Sequence, residues 1–381
     1  MAHQKTVTAG GRAFRSKRKR KNMDAQGRVA VLTWVCKWRR GVGRITIVST
    51  NEPTATVARG GPQCSIFPSL RLYSPRVLAP RRRPAEPPES PRLLRGRGTP
   101  RPADILLASF PKSGTTWLKA LAFATTRRSV HSPLDGAAGH PLLSSSSHDC
   151  VRFLDTLRFL LERDGGNMTT APRLLSTHLP YSLLPIRRAT AGGGGCRIVY
   201  IARDPKDTLV STWHFDAGLR RSAAAEGREG AGGAAMAFEL YCQGHCGMGP
   251  QWEHVREYWE VSKRTPGSVL FLRYEEMLQD LAGNLKKMAE FMGCPFSAAE
   301  DDAGVVRSIL ELCSLDKQRS LAVNKTGACV ENLEDTVITI DNKHFFRKGI
   351  MGDWRNHMTP EMAARLDGIV DEALQGSGFT F

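Results

Sequence analysis

The chain has 381 residues, 41% of them hydrophobic, and carries a formal net charge of +17 at pH 7. This length allows two domains, or one large α/β domain with an extension. No run of about 18 apolar residues occurs, which excludes a typical membrane-spanning helix, and nine cysteines without framework spacing suit a reducing compartment.

The positive charge is concentrated in the first hundred residues, which hold 22 of the 54 basic and 4 of the 37 acidic residues. The rest of the chain is therefore close to neutral, and we expect no nucleic-acid binding by it. Basic clusters occur at Lys17–Lys21 and Arg81–Arg83. A stretch with so much charge and so little periodicity buries little apolar surface, so residues 1–100 are predicted to be a disordered extension. A nuclear-localisation cluster, a transit peptide and a nucleic-acid arm are alternatives to a solvated tail.

A domain predicted over residues 101–381 opens with an apolar strand at 104–109, a polar loop and a helix at 114–127. The loop contains Lys112, Ser113, Gly114, Thr115, Thr116 and Trp117. Backbone N–H groups at a helix start, with a dipole of about +0.5 charge, favour an anion there. The lysine precedes the glycine, and Ser109 stands where a P-loop has its first glycine, so an ordinary nucleoside triphosphatase is disfavoured.

A histidine directly follows the second predicted strand. The strand covers residues 172–177, after a helix predicted over 149–162, and Pro180 comes two residues beyond His178. His178 should therefore lie at the carboxyl edge of the sheet, where ligands of parallel α/β sheets bind. With an ordinary pKa of about 6.5, it can accept a hydroxyl proton at neutral pH.

The third predicted strand, at residues 196–202, runs into Arg203, and Ser211 lies on the helix predicted over 205–217. An arginine suits phosphate because its guanidinium donates bidentately. The alternative is an ion pair with the nearby Asp204 or Asp207.

The fourth strand, at residues 268–272, is followed by Tyr274, a position where a tyrosine alone is usually a core residue. Further helices are predicted over residues 250–263, 280–292, 302–313 and 359–374. Strands that alternate with helices indicate an α/β fold, a single domain with a central parallel sheet flanked by helices and a P-loop-like anion-binding loop.

A last motif near the C-terminus completes the pattern. It runs Arg347, Lys348, Gly349, Ile350, Met351, Gly352, Asp353 and Trp354. Together with Pro111–Trp117 and the Arg203–Asp207 turn with its downstream serine, it resembles the soluble sulfotransferases, and within them the plant flavonoid and steroid group. The resemblance covers residues from about 100 to 381, and three separated motifs in order are more specific than any one.

The resemblance implies a phosphosulfate donor, 3′-phosphoadenylyl sulfate (PAPS), bound at two anion sites. In the first, Lys112 would stabilise the bridging oxygen while Trp117 stacks on the adenine. The second would comprise Arg203, Ser211, Arg347, Lys348 and Gly349. Tyr274 matches the adenine-side tyrosine and His178 the catalytic base. The implied acceptor is a small hydroxylated molecule, such as a flavonoid, steroid, hydroxyjasmonate or other phenol.

The expected enzyme is cytoplasmic and needs no metal, because cationic side chains supply the charge stabilisation. Two alternatives remain: a non-catalytic nucleotide-binding protein with a basic nuclear-targeting arm, and a nucleotide kinase. Some relatives dimerise through a short segment that corresponds to Arg355–Ala364, where this chain has Pro360 for valine and Ala364 for glutamate. A monomer is therefore favoured over a homodimer.

Overall fold

The structure is a computed structural model. It describes residues 6–9, 12–15, 32–38, 41–47, 100, 103–134, 139–154, 173–184, 196–224, 233–333 and 336–381. The chain divides into two compact units, Met1–Gln63 and Cys64–Phe381. Among the described residues, no helix is long and apolar enough to cross a membrane.

In the first unit, two antiparallel strand pairs are present within the region predicted to be disordered. Strand β1 (Thr6–Ala9) pairs with β2 (Arg12–Arg15), and β3 (Leu32–Trp38) pairs with β4 (Gly41–Ile47). The other residues of the predicted extension, up to residue 99, lie outside the described part. The division of the chain near residue 100 stays a prediction.

In the second unit, four parallel strands form the central sheet. They are β5 (Ile105–Ser109), β6 (Leu174–Thr177), β7 (Arg197–Ala202) and β8 (Val269–Arg273), in the spatial order β6-β5-β7-β8. The predicted parallel sheet is confirmed. Because β6 and β7 flank β5 on opposite sides, the loop that leaves β5 lies at the topological switch point, where α/β sheets bind ligands.

Helices follow the strands over most of the chain. They are α1 (Thr115–Arg127), α2 (Pro141–Ser144), α3 (Ser147–Cys150), α4 (Pro205–Ala224), α5 (Ala234–Cys242), α6 (Gln251–Arg264), α7 (Tyr274–Gln279), α8 (Leu281–Phe291), α9 (Ala298–Asp302), α10 (Val305–Leu312), α11 (Leu315–Ser320), α12 (Ala322–Thr326) and α13 (Pro360–Leu374). The helix predicted over 302–313 corresponds to α10, which begins only at Val305 because Gly304, with a φ of 76°, separates it from α9. Most of the helix predicted over 149–162 lies outside the described residues.

Both faces of the sheet are covered, because successive strand residues point to opposite sides. Leu106 and Ala108 pack in a core that also holds buried residues of α6 and α13. Ile105 and Leu107 pack in a second core with α1, α8 and α10. The near-continuous apolar strands therefore reflect burial on two faces, as expected for a parallel sheet.

An antiparallel hairpin was not predicted. Strands β9 (Ala328–Leu333) and β10 (Thr336–Asp341) pair with each other, and Asn342–Phe345 follows as a 3₁₀ turn. The β-branched run in β10 was an available signal. The hairpin brings the chain to the segment that carries the C-terminal motif.

A buried ion pair joins the starts of β5 and β6, and its loss should destabilise the domain. Asp104 and Arg173 are 1% and 4% exposed, and Arg173 Nε donates to Asp104 Oδ2 at 2.9 Å. We expect Asp104→Ala to lower the free energy of unfolding by about 3–5 kcal/mol, because it removes the carboxylate from a buried guanidinium. Denaturant unfolding would measure this loss.

The matched control is Asp316→Ala, which removes the carboxylate from an exposed Arg319–Asp316 pair at 3.2 Å. Exposed pairs contribute at most about 1 kcal/mol, so this variant should unfold close to the wild type. Equal stabilities for the two variants would show that the Asp104 pair is energetically unimportant.

Candidate active site

The loop that leaves β5 is held in a strained, tight conformation. Lys112 has a φ of 66°, and among the described residues no other non-glycine residue has a positive φ. Gly114 has a φ of 106° at the N-cap of α1. Ser113 N donates to Phe110 O at 3.2 Å, and the hydroxyls of Ser109 and Thr115 are 2.7 Å apart. Left-handed backbone at a non-glycine residue is costly and clusters at functional sites.

A cavity of about 400 Å³ lies beyond this loop, and it gathers most of the residues predicted from the sequence. Those that line it are Lys112, Gly114, Thr115, Thr116, Trp117, His178, Arg203, Ser211, Tyr274, Arg347 and Gly349. Ser113 and Lys348 are outside this lining. The Ser113 hydroxyl is nevertheless buried within the loop, and it lacks a hydrogen-bond partner among the described residues.

Lys112 is packed between aromatic rings. Its Nζ lies 3.8 Å from the centroid of the Phe215 ring and 5.4 Å from that of Phe345. Burial, together with the positive charges of Arg203 and Arg347, lowers the pKa of Lys112 to about 7, although the carboxylate of Asp216 acts to raise it. The negative charge of an anion in the cavity would offset both the cost of burying the protonated amine and its repulsion by Arg203 and Arg347. Such an anion would therefore interact strongly with the protonated Lys112.

Arg203 connects two of the loops. Its Nη1 donates to the carbonyl of Lys112 at 3.2 Å and its Nη2 to that of Ile350 at 3.0 Å, and the guanidinium lies 4.6 Å from the Tyr274 ring centroid. Its Nε is buried without a hydrogen-bond partner among the described residues. The arginine is thus held in place with a donor still available.

The C-terminal motif is held by two aspartates whose roles were not predicted. Asp207 accepts from the backbone N–H groups of Gly352 and Trp354 at 2.6 and 2.9 Å. Asp353 pairs with Arg347 and with Lys348 Nζ, the latter at 2.7 Å. Although burial opposes it, these hydrogen bonds lower the pKa of Asp353. Asp353 thus accounts for the position of Lys348 outside the cavity lining.

His178 sits at the carboxyl end of β6, as predicted, and its tautomer is defined by one contact. Its Nδ1 lies 2.8 Å from the carbonyl oxygen of Ser109. A carbonyl only accepts, so Nδ1 carries the proton and Nε2 presents a lone pair. Burial lowers the pKa of His178 to about 3, and the charges of Lys119 and Lys112 contribute. The imidazole is therefore a neutral base at physiological pH.

The buried His254 on α6 supports His178 and was not predicted from the sequence. Its Nε2 lies 3.0 Å from the carbonyl oxygen of His178, and its Nδ1 lies 2.9 Å from the Tyr200 hydroxyl. Burial lowers the pKa of His254 to about 4. His254 thus fixes the backbone of His178. No motif in the sequence connects these distant residues.

The cavity is suited to an anionic ligand. The positive Arg203 and Arg347 and the titratable Lys112 face it, and buried donors of Ser113 and Arg203 lack partners among the described residues. Within that part of the chain, no group of three or more His, Cys, Asp or Glu side chains could hold a metal ion.

Comparisons with known proteins show similarity to sulfotransferases. A sequence model of the sulfotransferase domain matches residues 102–378. The chain is 42% identical to cytosolic sulfotransferase 3 of Arabidopsis thaliana over 276 residues, which cover 72% of this chain and 78% of that protein. It is 43% identical to cytosolic sulfotransferase 8 of the same plant over 285 residues, with 73% and 79% covered.

Solved structures are similar as well. A mouse sulfotransferase in complex with PAP gives a TM-score of 0.52 at 26% identity, with 73% of this chain and 86% of that chain covered. A retinol dehydratase in complex with retinol and PAP gives a TM-score of 0.53 at 25% identity, with 74% and 84% covered.

Proposed function

Since this chain belongs to the sulfotransferase family, we propose that it transfers the sulfuryl group of PAPS to a hydroxyl of a small acceptor. The observation that carries the proposal is the meeting of Lys112, Arg203 and His178 at one cavity, at the carboxyl ends of three adjacent strands. These residues supply the positive charge for a phosphosulfate donor and a neutral base for an acceptor.

The donor would bind at two anion sites. The loop residues Lys112 to Trp117 and the N-terminus of α1 would hold the phosphosulfate. Arg203 and Ser211, with Arg347, Lys348 and Gly349, would hold the 3′-phosphate. Trp117 and Tyr274, whose ring centroids are 5.6 Å apart, form the aromatic wall expected for the adenine. The PAP complexes of the two structural relatives support this assignment.

Sulfuryl transfer leaves negative charge on the bridging oxygen of the donor. In our proposal, Lys112 stabilises that charge, and its position in the strained loop directs its amine toward the phosphosulfate. His178 accepts the hydroxyl proton of the acceptor at Nε2, while Nδ1 keeps its bond to the Ser109 carbonyl. His254 holds the His178 backbone, and the contact of Nδ1 with the Ser109 carbonyl orients the ring.

The acceptor would bind against apolar side chains that line the cavity on the His178 side. Phe153 lies 4.9 Å from the His178 ring, and Met248 and Phe346 contribute further apolar surface to the lining. This chemistry suits a flat or hydrophobic alcohol or phenol, such as a flavonoid, a steroid or a hydroxyjasmonate. The retinol complex of one structural relative supports a hydrophobic acceptor.

A cytoplasmic location is proposed because the sequence relatives are named cytosolic sulfotransferases. A monomer is proposed because the Arg355–Ala364 segment departs from the dimerisation pattern at Pro360 and Ala364. Pro360 lies at the first turn of α13, where Thr359 caps the helix. Size-exclusion chromatography with light scattering tests the monomer.

Calorimetric titration with PAP and with ATP tests the donor site. We expect micromolar or tighter binding of PAP, because two separated anion sites match its 3′- and 5′-phosphates. ATP lacks a 3′-phosphate and should bind much more weakly. Tighter binding of ATP than of PAP would contradict the proposal and favour a nucleotide kinase.

A glycine at position 114 is a structural requirement of the donor loop. A Cβ at Gly114, where φ is 106°, would lie 2.9 Å from Tyr274 Cδ2. We expect Gly114→Ala to cost about 1–3 kcal/mol of stability from strain, and to weaken PAP binding at least about tenfold because the loop and Tyr274 must move apart. Thermal unfolding and calorimetry would measure the two effects.

Gly139→Ala is the matched control. Gly139 also has a positive φ, of 77°, but a Cβ there would meet no atom within 4 Å. This variant should lose some stability from backbone strain and keep its PAP affinity. If both variants bound PAP equally well, the close approach of Tyr274 to the loop would be irrelevant to the donor site.

A further inference from the structure

A buried lysine and histidine lie directly behind the donor loop, and neither has a role in the mechanism above. Lys119 is on α1, one turn after Thr116, and its side chain is fully buried. His148 is on the short helix α3 and is 4% exposed at the cavity wall. The two residues come together although 29 residues separate them in sequence.

His148 is bonded through both ring nitrogens. Its Nδ1 lies 3.1 Å from Lys119 Nζ, and its Nε2 lies 3.0 Å from the Thr116 hydroxyl. The ring also stacks on Phe345, with centroids 4.2 Å apart. These contacts fix both the position and the orientation of the imidazole.

The backbone of α3 is tied to the same part of α1. The Ser147 hydroxyl donates to the carbonyl of Thr116 at 3.1 Å, and the Ser146 hydroxyl accepts from His148 N at 3.3 Å. Lys119 is held as well, because its Nζ lies 3.4 Å from the centroid of the Phe153 ring. The three side chains Lys119, His148 and Thr116 therefore form a defined chain that ends at the cavity.

The direction of the protons in this chain follows from donor chemistry. A lysine ammonium has three N–H donors and no acceptor, so His148 Nδ1 must accept. The ring proton is then on Nε2, which donates to the Thr116 hydroxyl oxygen. Burial and the charges of Lys119 and Lys112 hold the pKa of His148 well below its ordinary value, so the ring is neutral. The Thr116 hydroxyl therefore does not use its own proton in the bond with His148.

We infer that Lys119 and His148 are positioning residues that commit the Thr116 hydroxyl to donate its proton to the phosphosulfate of the donor. Helical threonines otherwise tend to donate to the carbonyl four residues earlier, which here is that of Lys112. Because His148 Nε2 donates to the Thr116 oxygen, and the Lys112 carbonyl accepts from Arg203 Nη1 instead, the Thr116 hydroxyl keeps its own proton as a donor for the cavity at the helix N-terminus. The inference rests on the proposed function, because it assigns the anion to the sulfuryl donor.

A double-mutant cycle tests this relay, with PAP as the calorimetric probe. His148→Phe removes both hydrogen bonds and retains the stacking on Phe345, and Thr116→Val removes the hydroxyl. We expect His148→Phe to weaken PAP binding about five- to tenfold when Thr116 is present. In the Thr116→Val background the same change should alter affinity less than about twofold.

If the His148 variant folds poorly, Lys119→Met can replace it in the cycle. This substitution leaves the His148 ring in place and keeps the length of the side chain at position 119. It should also weaken PAP binding only when Thr116 is present. The matched control is His140→Phe, which alters another buried histidine, one that packs on Phe123 and lies outside the cavity lining. His140→Phe should leave the affinity for PAP unchanged.

Equal losses from His148→Phe in both backgrounds, or no loss with Thr116 present, would overturn the relay, since a purely structural role needs no Thr116 hydroxyl. Failure of the wild-type chain to bind PAP would instead refute the proposed function. The two failures are therefore distinguishable in one set of titrations.

Discussion

Replacing His178 with alanine is expected to lower kcat by about 10²–10⁴-fold while PAP affinity remains close to that of the wild type. His178 is the neutral base proposed at the carboxyl end of β6, and its Nδ1 is committed to the Ser109 carbonyl. The variant removes proton acceptance from the acceptor hydroxyl but leaves the anion-binding loops intact. Steady-state kinetics with a saturating donor, together with PAP titration, would separate the two effects.

His131→Ala is the control for this variant, because His131 lies outside the cavity lining and is only partly buried. Its turnover should match that of the wild type. A His178→Ala variant with near-normal turnover would exclude His178 as the base, whatever its effect on binding.

The pH dependence of turnover gives a second test of His178. Its folded-state pKa of about 3 is lower than the ordinary value of 6.5. The neutral form of the imidazole, which can accept a proton, is therefore lost in the folded protein only as the pH falls through about 3. We expect no acidic limb from this group near pH 6.5 in a profile of kcat/KM. The same shift makes stability fall as the pH drops below about 6.5, because the unfolded state then binds the extra proton.

Replacing Lys112 with methionine is the second substitution with a large expected effect. Methionine keeps much of the apolar packing against Phe215 but removes the charge that would stabilise the bridging oxygen. We expect kcat to fall about 10²–10³-fold, as when one transition-state donor is removed from an active site. Unlike His178→Ala, this variant should also bind PAP more weakly, because the same amine would face the phosphates of the bound ligand.

Lys206→Met is the matched control. Lys206 is also largely buried, but it pairs with Asp204 at 3.3 Å and with Asp367, and it does not line the cavity. Its loss should lower stability and leave PAP affinity unchanged. Wild-type turnover by Lys112→Met would contradict the role assigned to Lys112.

Proton uptake on binding gives an independent signature of Lys112. Its pKa of about 7 in the free protein means that much of the amine is neutral in weakly alkaline buffer. A bound anion should raise that pKa, so PAP binding should take up a proton. Calorimetry in buffers of different ionisation enthalpy measures the uptake, which should disappear in Lys112→Met.

The sequence was sufficient for the parallel sheet, and most of the site residues predicted from it line one cavity. The four strands were recognisable because burial on both faces makes them mostly apolar, as Ile105–Ser109 shows. His178 and Arg203 were recognisable because each directly follows a strand, and Lys112 because it lies in the loop that leaves β5. The ends of parallel strands meet at one edge of the sheet. The order of lysine and glycine within the loop then distinguished it from a P-loop.

The supporting residues were not predictable from local sequence. His254 and Asp207 act through contacts with backbone groups of segments tens of residues away, which no motif reveals. The pairing of Lys119 with His148 likewise depends on how α3 packs against α1. Such contacts are set by tertiary packing, whereas the residues at the strand ends, such as His178 and Arg203, can be predicted from their position in the sequence.

Sulfuryl transfer is tested most directly by incubating the purified full chain with labelled PAPS and a panel of phenols, flavonoids, steroids and hydroxyjasmonates. We expect label on at least one hydroxylated acceptor, an equal amount of PAP, and no product from ATP. Binding of PAP without label transfer to any acceptor, or phosphorylation of an acceptor by ATP, would contradict the proposed sulfuryl transfer.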